Sequence, residues 1–204
     1  MCSSCSPERT LMNSLLLGLV LSQGAGIAYR FIESAEKYQR AHQESRMRNK
    51  PFLVVGGPSQ SEDAYSDVAW VQPLVKAKAL FKIKAHGCGD VCTDIDPRTC
   101  EGCNYVYGDI TDLPFADKEF GSVLCAHVLE HMPDVETCQA AWQELHRVAD
   151  VVFICVPPKT SIWAWFVPDH YLWVRHLGET VLQVEERKSG MRYMVDLDGP
   201  PMLL

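Results

Sequence analysis

The alternation of apolar and polar positions divides the chain into three stretches. Residues 11–28 read LMNSLLLGLVLSQGAGIA, an apolar run without a charge. Residues 29–49 are polar, rich in helix formers and free of Gly and Pro, which predicts a surface helix leading into the body. From Pro51 onward short apolar runs alternate with helical periodicity. FLVV (Phe52–Val55) stops at Gly56, Gly57 and Pro58, a buried strand and a turn. Residues 67–84 repeat Val68, Val71, Leu74 and Val75 at helical spacing, with Pro73 as a kink. Residues 90–95, 104–110, 122–129 and 151–156 predict four more strands. Val135–Val148 predicts a helix with Asp134 as its N-cap. Residues 180–187 and 191–197 flank Lys188, Ser189 and Gly190, the pattern of a hairpin.

Strands that are apolar along their length and separated by helices imply an α/β fold. The sheet is doubly wound, mostly parallel and covered on both faces. The C-terminal hairpin is expected as its antiparallel edge, and an N-terminal hydrophobic helix is expected ahead of the whole sheet. Residues 1–28, 29–50 and 51–204 then form an N-terminal segment, a linker helix and one domain.

Composition narrows the function. The 204 residues are 47% hydrophobic and 22% charged, a globular balance that excludes a disordered tail, a collagen and a polytopic membrane protein. The net charge of -7 argues against avid, nonspecific nucleic-acid binding. Three readings of residues 11–28 stand open: a single membrane anchor, a signal peptide ending near Gly24, Ala25 and Gly26, and a buried or partner-facing helix. As an anchor it would make the protein single-pass. Arg30, Lys37, Arg40, Arg46, Arg48 and Lys50 would then hold the body on the cytoplasmic or equivalent side. The nine cysteines are an odd number, so they cannot all pair within one chain. Cys125 and Cys155 lie in apolar runs, and a reducing compartment is expected.

Ligands of such sheets bind beyond the carboxyl ends of the strands. Gly56 and Gly57 follow the first strand, where glycine permits close approach to the backbone. Asp94 and Asp96 follow the second. A carboxylate there can accept from both hydroxyls of a ribose, and Asp94 suits this better than Asp96, a turn residue before Pro97. Asp109 and Ile110 end the third strand, a carboxylate for an exocyclic amine beside an apolar side chain for a flat ring. His127-Val128-Leu129-Glu130-His131 ends the fourth.

GDITDLPFADKEFGSVLCAHVLEHMPD (residues 108–134), followed by ELHRV (residues 144–148), resembles the class I S-adenosylmethionine-dependent methyltransferases. More narrowly, it resembles their small-molecule branch called type 11. The resemblance covers roughly residues 52–174 and implies a Rossmann-like sheet. It implies S-adenosylmethionine as cofactor, with Gly56 and Gly57 near its methionine part and Asp94 on its ribose. Asp109 and Ile110 would hold its adenine, and His127 would face cofactor or substrate. One departure stands out. Residues 54–61 (VVGGPSQS) lack the acidic residue and the later glycines of the family's Gly-x-Gly-x-Gly turn, and Pro58 deletes a backbone donor.

Other patterns compete for the same residues. HVLEH (residues 127–131) matches the H-x-x-E-H zinc-peptidase signature, but a strand precedes it and Pro133 follows at once. Related methyltransferases bind a divalent ion through Glu-x-x-Glu-His at this place. Here His127 replaces the first Glu, and no metal is assigned. Cys88, Cys92, Cys100 and Cys103 could form a zinc knuckle, though reduced thiols fit the spacing better. Trp163, Trp165, Phe166, Tyr171 and Trp173 cluster after the fifth strand, as a wall for a flat or lipid-like substrate or as a core flap. His170 beside them is a candidate general base. The leading expectation is methyl transfer to a small or lipid-like acceptor at a membrane. The alternative is a noncatalytic methyltransferase-like subunit that joins a protein assembly through the N-terminal helix.

Overall fold

The structure, a computed structural model, describes residues 7–58 and 86–204, so the helix predicted over 67–84 lies outside the described residues. In chain order come α1 (Pro7–Met47), β1 (Phe52–Val55), β2 (Val91–Asp94), β3 (Tyr105–Tyr107), β4 (Ser122–Ala126), α2 (Val135–Val148) and β5 (Val152–Cys155). A short α3 (Ile162–Trp165) leads to β6 (Leu172–His176), β7 (Leu182–Glu186), β8 (Arg192–Val195) and β9 (Met202–Leu203). Two 3-10 turns, Pro97–Cys100 and Leu129–His131, follow β2 and β4.

The five strands expected from the apolar runs form one sheet in the order β3-β2-β1-β4-β5, with every pair parallel. The chain steps outward from β1 to β3 and then crosses to β4, so the order reverses between β1 and β4. A crevice opens at such a switch point. Alternation along the strands sends side chains to two cores. Leu53, Val55, Val123 and Cys125 pack with Trp142, Leu145 and Val148 of α2. Phe52, Val54, Leu124 and Ala126 pack with Ala41 of α1. Asp134 caps α2 as expected, its Oδ1 accepting the Thr137 amide at 2.7 Å.

The expected hairpin forms from β7 and β8, but not as an edge of the parallel sheet. It belongs to a second, four-stranded antiparallel sheet in the order β6-β7-β8-β9. Leu172, Val174, Leu182, Val184 and Val195 bury their apolar faces in the core that α2 shares. That burial, rather than pairing with β5, fixes the sheet. The Trp142 indole donates to the Thr180 carbonyl at 2.7 Å and pins α2 to it.

Residues 11–28 fall within α1, which runs unbroken to Met47. Among the described residues no helix is long and apolar enough to cross a membrane. The span expected there, and the single-pass placement drawn from it, therefore gain no support. Asn13, Ser14, Ser22 and Gln23 interrupt the apolar run. The end of α1 packs on the sheet. Ser122 donates to the Ala41 carbonyl at 2.6 Å, and the Ser45 and Ser122 hydroxyls share a hydrogen bond of 2.8 Å. The Lys37 ammonium donates to the Ile154 carbonyl at 3.0 Å, and the Tyr38 ring meets Phe52 at 5.4 Å.

The four clustered cysteines are disulfide-bonded, Cys88 to Cys103 and Cys92 to Cys100. This corrects the expectation of reduced thiols there. The 3-10 turn doubles back so that Cys100 lies over Cys92 of β2, with their Cα atoms 5.9 Å apart. Spacing in sequence does not reveal that proximity. Cys125, Cys138 and Cys155 are free and buried. Desolvation pushes the Cys138 thiol up to about 12, and it behaves as a small hydrophobe.

Candidate functional site

A cavity of about 220 Å³ opens beyond the carboxyl ends of β2 and β3. Asp94, Asp109 and Ile110 line it together, with Val55 from β1 and Val128 from the loop just after β4. Its volume is below the ~300–1,000 Å³ usual for small-molecule pockets. The Asp94 carboxylate takes the Asp96 amide on Oδ1 at 2.9 Å, which fixes its rotamer at the strand end. Asp96 is turned outward instead. It caps the 3-10 turn and pairs with Arg98, whose hydrogen bonds hold its carboxyl below the usual range. Asp109 Oδ1 accepts from the Thr111 amide at 2.9 Å and the Thr111 hydroxyl at 2.8 Å, an Asx turn that closes the loop. Ile110 is buried, and Ile95 stands exposed at the rim. Ile95 and Met132 line this cavity without having been expected to; both sit where the chain leaves a strand or turn, next to expected residues.

Gly56 and Gly57 do not line the cavity. A Cβ on Gly56 would lie 2.2 Å from the Ala126 carbonyl oxygen, and one on Gly57 would lie 2.0 Å from that of Thr99. Gly56 also has a φ of 77°. These glycines let β1 pass close to the protein's own backbone, and the Gly56 amide donates to the Thr93 carbonyl.

His127 lies beside the pocket. It leaves β4 in the left-handed conformation, with φ 57°, and its amide donates to the Cys155 carbonyl at 2.8 Å. Its Nδ1 pairs with Glu130 Oε1 at 3.2 Å. Glu130 is 1% exposed. Burial pushes its carboxyl up, but the hydrogen bond and charge of His127, with the charge of His131, outweigh that and leave it below the usual range. Folding also brings His170 to Glu130 and His131, which the sequence placed 39 residues or more apart from it. The His131 and His170 rings meet edge-on at 4.7 Å. Burial pushes the His170 imidazole down to about 4, so it is neutral near pH 7. That value makes it a weak general base.

The aromatic run is a flap with two faces. Trp165 and Trp173 pack at 4.8 Å, with the Arg187 guanidinium over both rings. Arg187 donates to the Val167 carbonyl at 2.7 Å and also to the Trp165 carbonyl, which fastens the flap to the antiparallel sheet. Phe166 and Tyr171 remain about half exposed.

Residues 78–151 match the family model of a methyltransferase domain. The match starts beyond β1 and its turn, where the glycine motif departs, and it spans both the cavity-lining loops and the Glu130 turn. Among solved structures the chain is similar to a Pyrococcus horikoshii protein at 14% identity, over 80% of this chain and 75% of the other. The TM-score of that pair is 0.37. It is also similar to CalS10, an amino pentose methyltransferase from Micromonospora echinaspora with S-adenosylmethionine bound. That pair has 17% identity, coverage of 82% of this chain and 71% of the other, and a TM-score of 0.36. A third likeness is to the complex between the Haloferax volcanii Trm112 methyltransferase activator and a candidate methyltransferase. It has 14% identity, coverage of 76% and 77%, and a TM-score of 0.37. No curated protein matches the chain. The strand order β3-β2-β1-β4-β5 is that of a doubly wound, Rossmann-like parallel sheet.

Proposed function

We propose that the domain transfers a methyl group from S-adenosylmethionine to a small or lipid-like acceptor. The observation that carries this is the convergence of Asp94, Asp109 and Ile110 on one cavity at the switch point, inside the segment matched to a methyltransferase domain. The residues fit the nucleoside half of the cofactor. An ionised carboxylate has several acceptor sites, so Asp94 can hold the Asp96 amide and still accept from ribose hydroxyls. Ile110 and Val128 offer an apolar floor for a flat ring. The bound cofactor would supply an activated methyl on sulfur. The protein's part is to align the acceptor with it and to exclude water. Phe166 and Tyr171 on the flap suit an apolar acceptor. Membrane proximity rests on the sequence of residues 11–28 alone.

Calorimetric titration of S-adenosylmethionine and S-adenosylhomocysteine into the full chain tests this reading. Saturable binding is expected, weakened at least tenfold by Asp94→Ala. A folded protein that binds neither compound would leave the domain without a cofactor. The second reading, a noncatalytic assembly subunit, is favoured by the glycines of the β1 turn, which face the protein's own backbone. It gains ground from that negative result, and partner capture through α1 would then be the question.

A further inference from the structure

We propose that Glu130, His131 and His170 bind a divalent first-row transition-metal ion, of which zinc is the type, at the carboxyl end of β4. One ligand atom from each of the three lies within 4.8 Å of the others. Two imidazoles and a carboxylate are the donors of three-ligand zinc sites, which leave a fourth position for water or a substrate oxygen. Tetrahedral ligand atoms around zinc lie about 3.3 Å apart, so closing on an ion needs a contraction of up to about 1.5 Å from the 4.8 Å spread.

Two further observations point to a cation. Glu130 is buried, its Oε1 faces His127, and its Oε2 is buried without a hydrogen-bond partner. An unpaired, buried carboxylate oxygen is strongly unfavourable, and a cation beside it removes that penalty. The two imidazoles are also held in the ligating tautomer. His170 Nδ1 lies 3.1 Å from the Ala164 carbonyl, an acceptor that places the proton on Nδ1. His131 Nδ1 lies 3.1 Å from the Asp169 carbonyl and 3.1 Å from its carboxylate. Both rings therefore present Nε2 as the free lone pair. A histidine held by a carboxylate or carbonyl on its far nitrogen is the usual support of a metal ligand.

The donors come from two distant segments, the 3-10 turn after β4 and the stretch leading into β6. The Tyr171 amide, donating to the Glu130 carbonyl at 2.8 Å, holds those segments together without an ion. An ion here would tie the aromatic flap to the turn whose neighbours Val128 and Met132 line the cavity. The inference does not rest on methyl transfer, and binding reads it directly.

The test is zinc titration of the metal-stripped full chain against a chromophoric chelator, without thiol reductant so that the disulfides stay closed. One zinc per chain is expected. His131→Gln and His170→Gln should each weaken binding at least tenfold, and Asp169→Asn by about tenfold through loss of ring support. The cobalt-substituted protein should show ligand-field bands without a thiolate charge-transfer band. No stoichiometric uptake overturns the proposal. So does uptake unchanged in His131→Gln, or a thiolate band that moves the ion to the cysteines. Circular dichroism checks folding, and if His170→Gln does not fold, the half-exposed His131 decides alone.

Discussion

Arg147 shows how single residues connect the motifs of the domain. It leaves the last turn of α2 and donates to the Leu113 carbonyl at 2.9 Å and the Phe115 carbonyl at 2.7 Å. It also pairs with Glu144 at 2.7 Å and Asp117 at 3.0 Å, while Glu144 accepts the Leu113 amide at 2.9 Å. The DLPF and ELHRV patterns are thus two sides of one clamp on the loop leading away from the cavity. Arg147→Ala should cost about 2 kcal/mol, the range for hydrogen bonds to a charged group, reduced by partial exposure. Arg147→Lys should recover little of it, because an ammonium cannot span the carbonyls and the carboxylate together. Urea denaturation measures both. His146 sets a pH dependence. Burial first, then the charges of Lys118 and His176, push its imidazole down to about 4. The unfolded chain protonates near 6.5, so between those values it binds more protons than the native state. Stability from this residue is complete above about pH 6.5 and is lost as pH falls toward 4. Melting temperatures taken from pH 7 to pH 4 should fall, and His146→Gln should flatten that slope.

At the scale of elements, the disulfides fasten the β2–β3 connection to β2 and to the segment just before it. Cys88–Cys103 closes a separation of 15 residues and Cys92–Cys100 one of 8. A closed loop of the longer size contributes about 3 kcal/mol by restricting the unfolded chain. Reduction should lower the melting temperature and loosen the Asp94 end of β2. Mass mapping under nonreducing conditions should return the two pairs. The parallel strands and α2 were legible in the sequence because their signals are local: whole apolar runs, an Asp cap and helical spacing. β6 was not legible. Its residues Leu172 to His176 lie in an aromatic run that reads as well as a flap, and only the pairing with β7 gives it an extended form. The same limit hid the cysteine pairing and the approach of His170 to Glu130. Both depend on how far a turn folds back, which spacing does not encode.

At the scale of the molecule, the end of α1 is part of the body. Ala41 and Ser45 are buried against β1 and β4, and Tyr38 closes over Phe52 and the Cys88 carbonyl. Truncation to a chain starting at Tyr29 should leave thermal stability nearly unchanged. A chain starting at Arg46 loses the cover over Phe52 and Val54 and should aggregate or melt far lower. Scanning calorimetry of the two separates a docked helix from a dispensable linker.

The sequence by itself determined the class of fold, the carboxyl-end placement of Asp94, Asp109 and Ile110, and the methyltransferase resemblance. Each rests on short-range pattern: apolar runs make buried strands, and parallel strands direct their loops to one edge. Only the tertiary structure decided that the hairpin builds a second sheet and that Gly56 and Gly57 face backbone rather than cavity. It alone paired the cysteines and gathered Glu130, His131 and His170. These are contacts between segments far apart in the chain. They are set by which apolar faces bury against one another, and no local pattern records that choice.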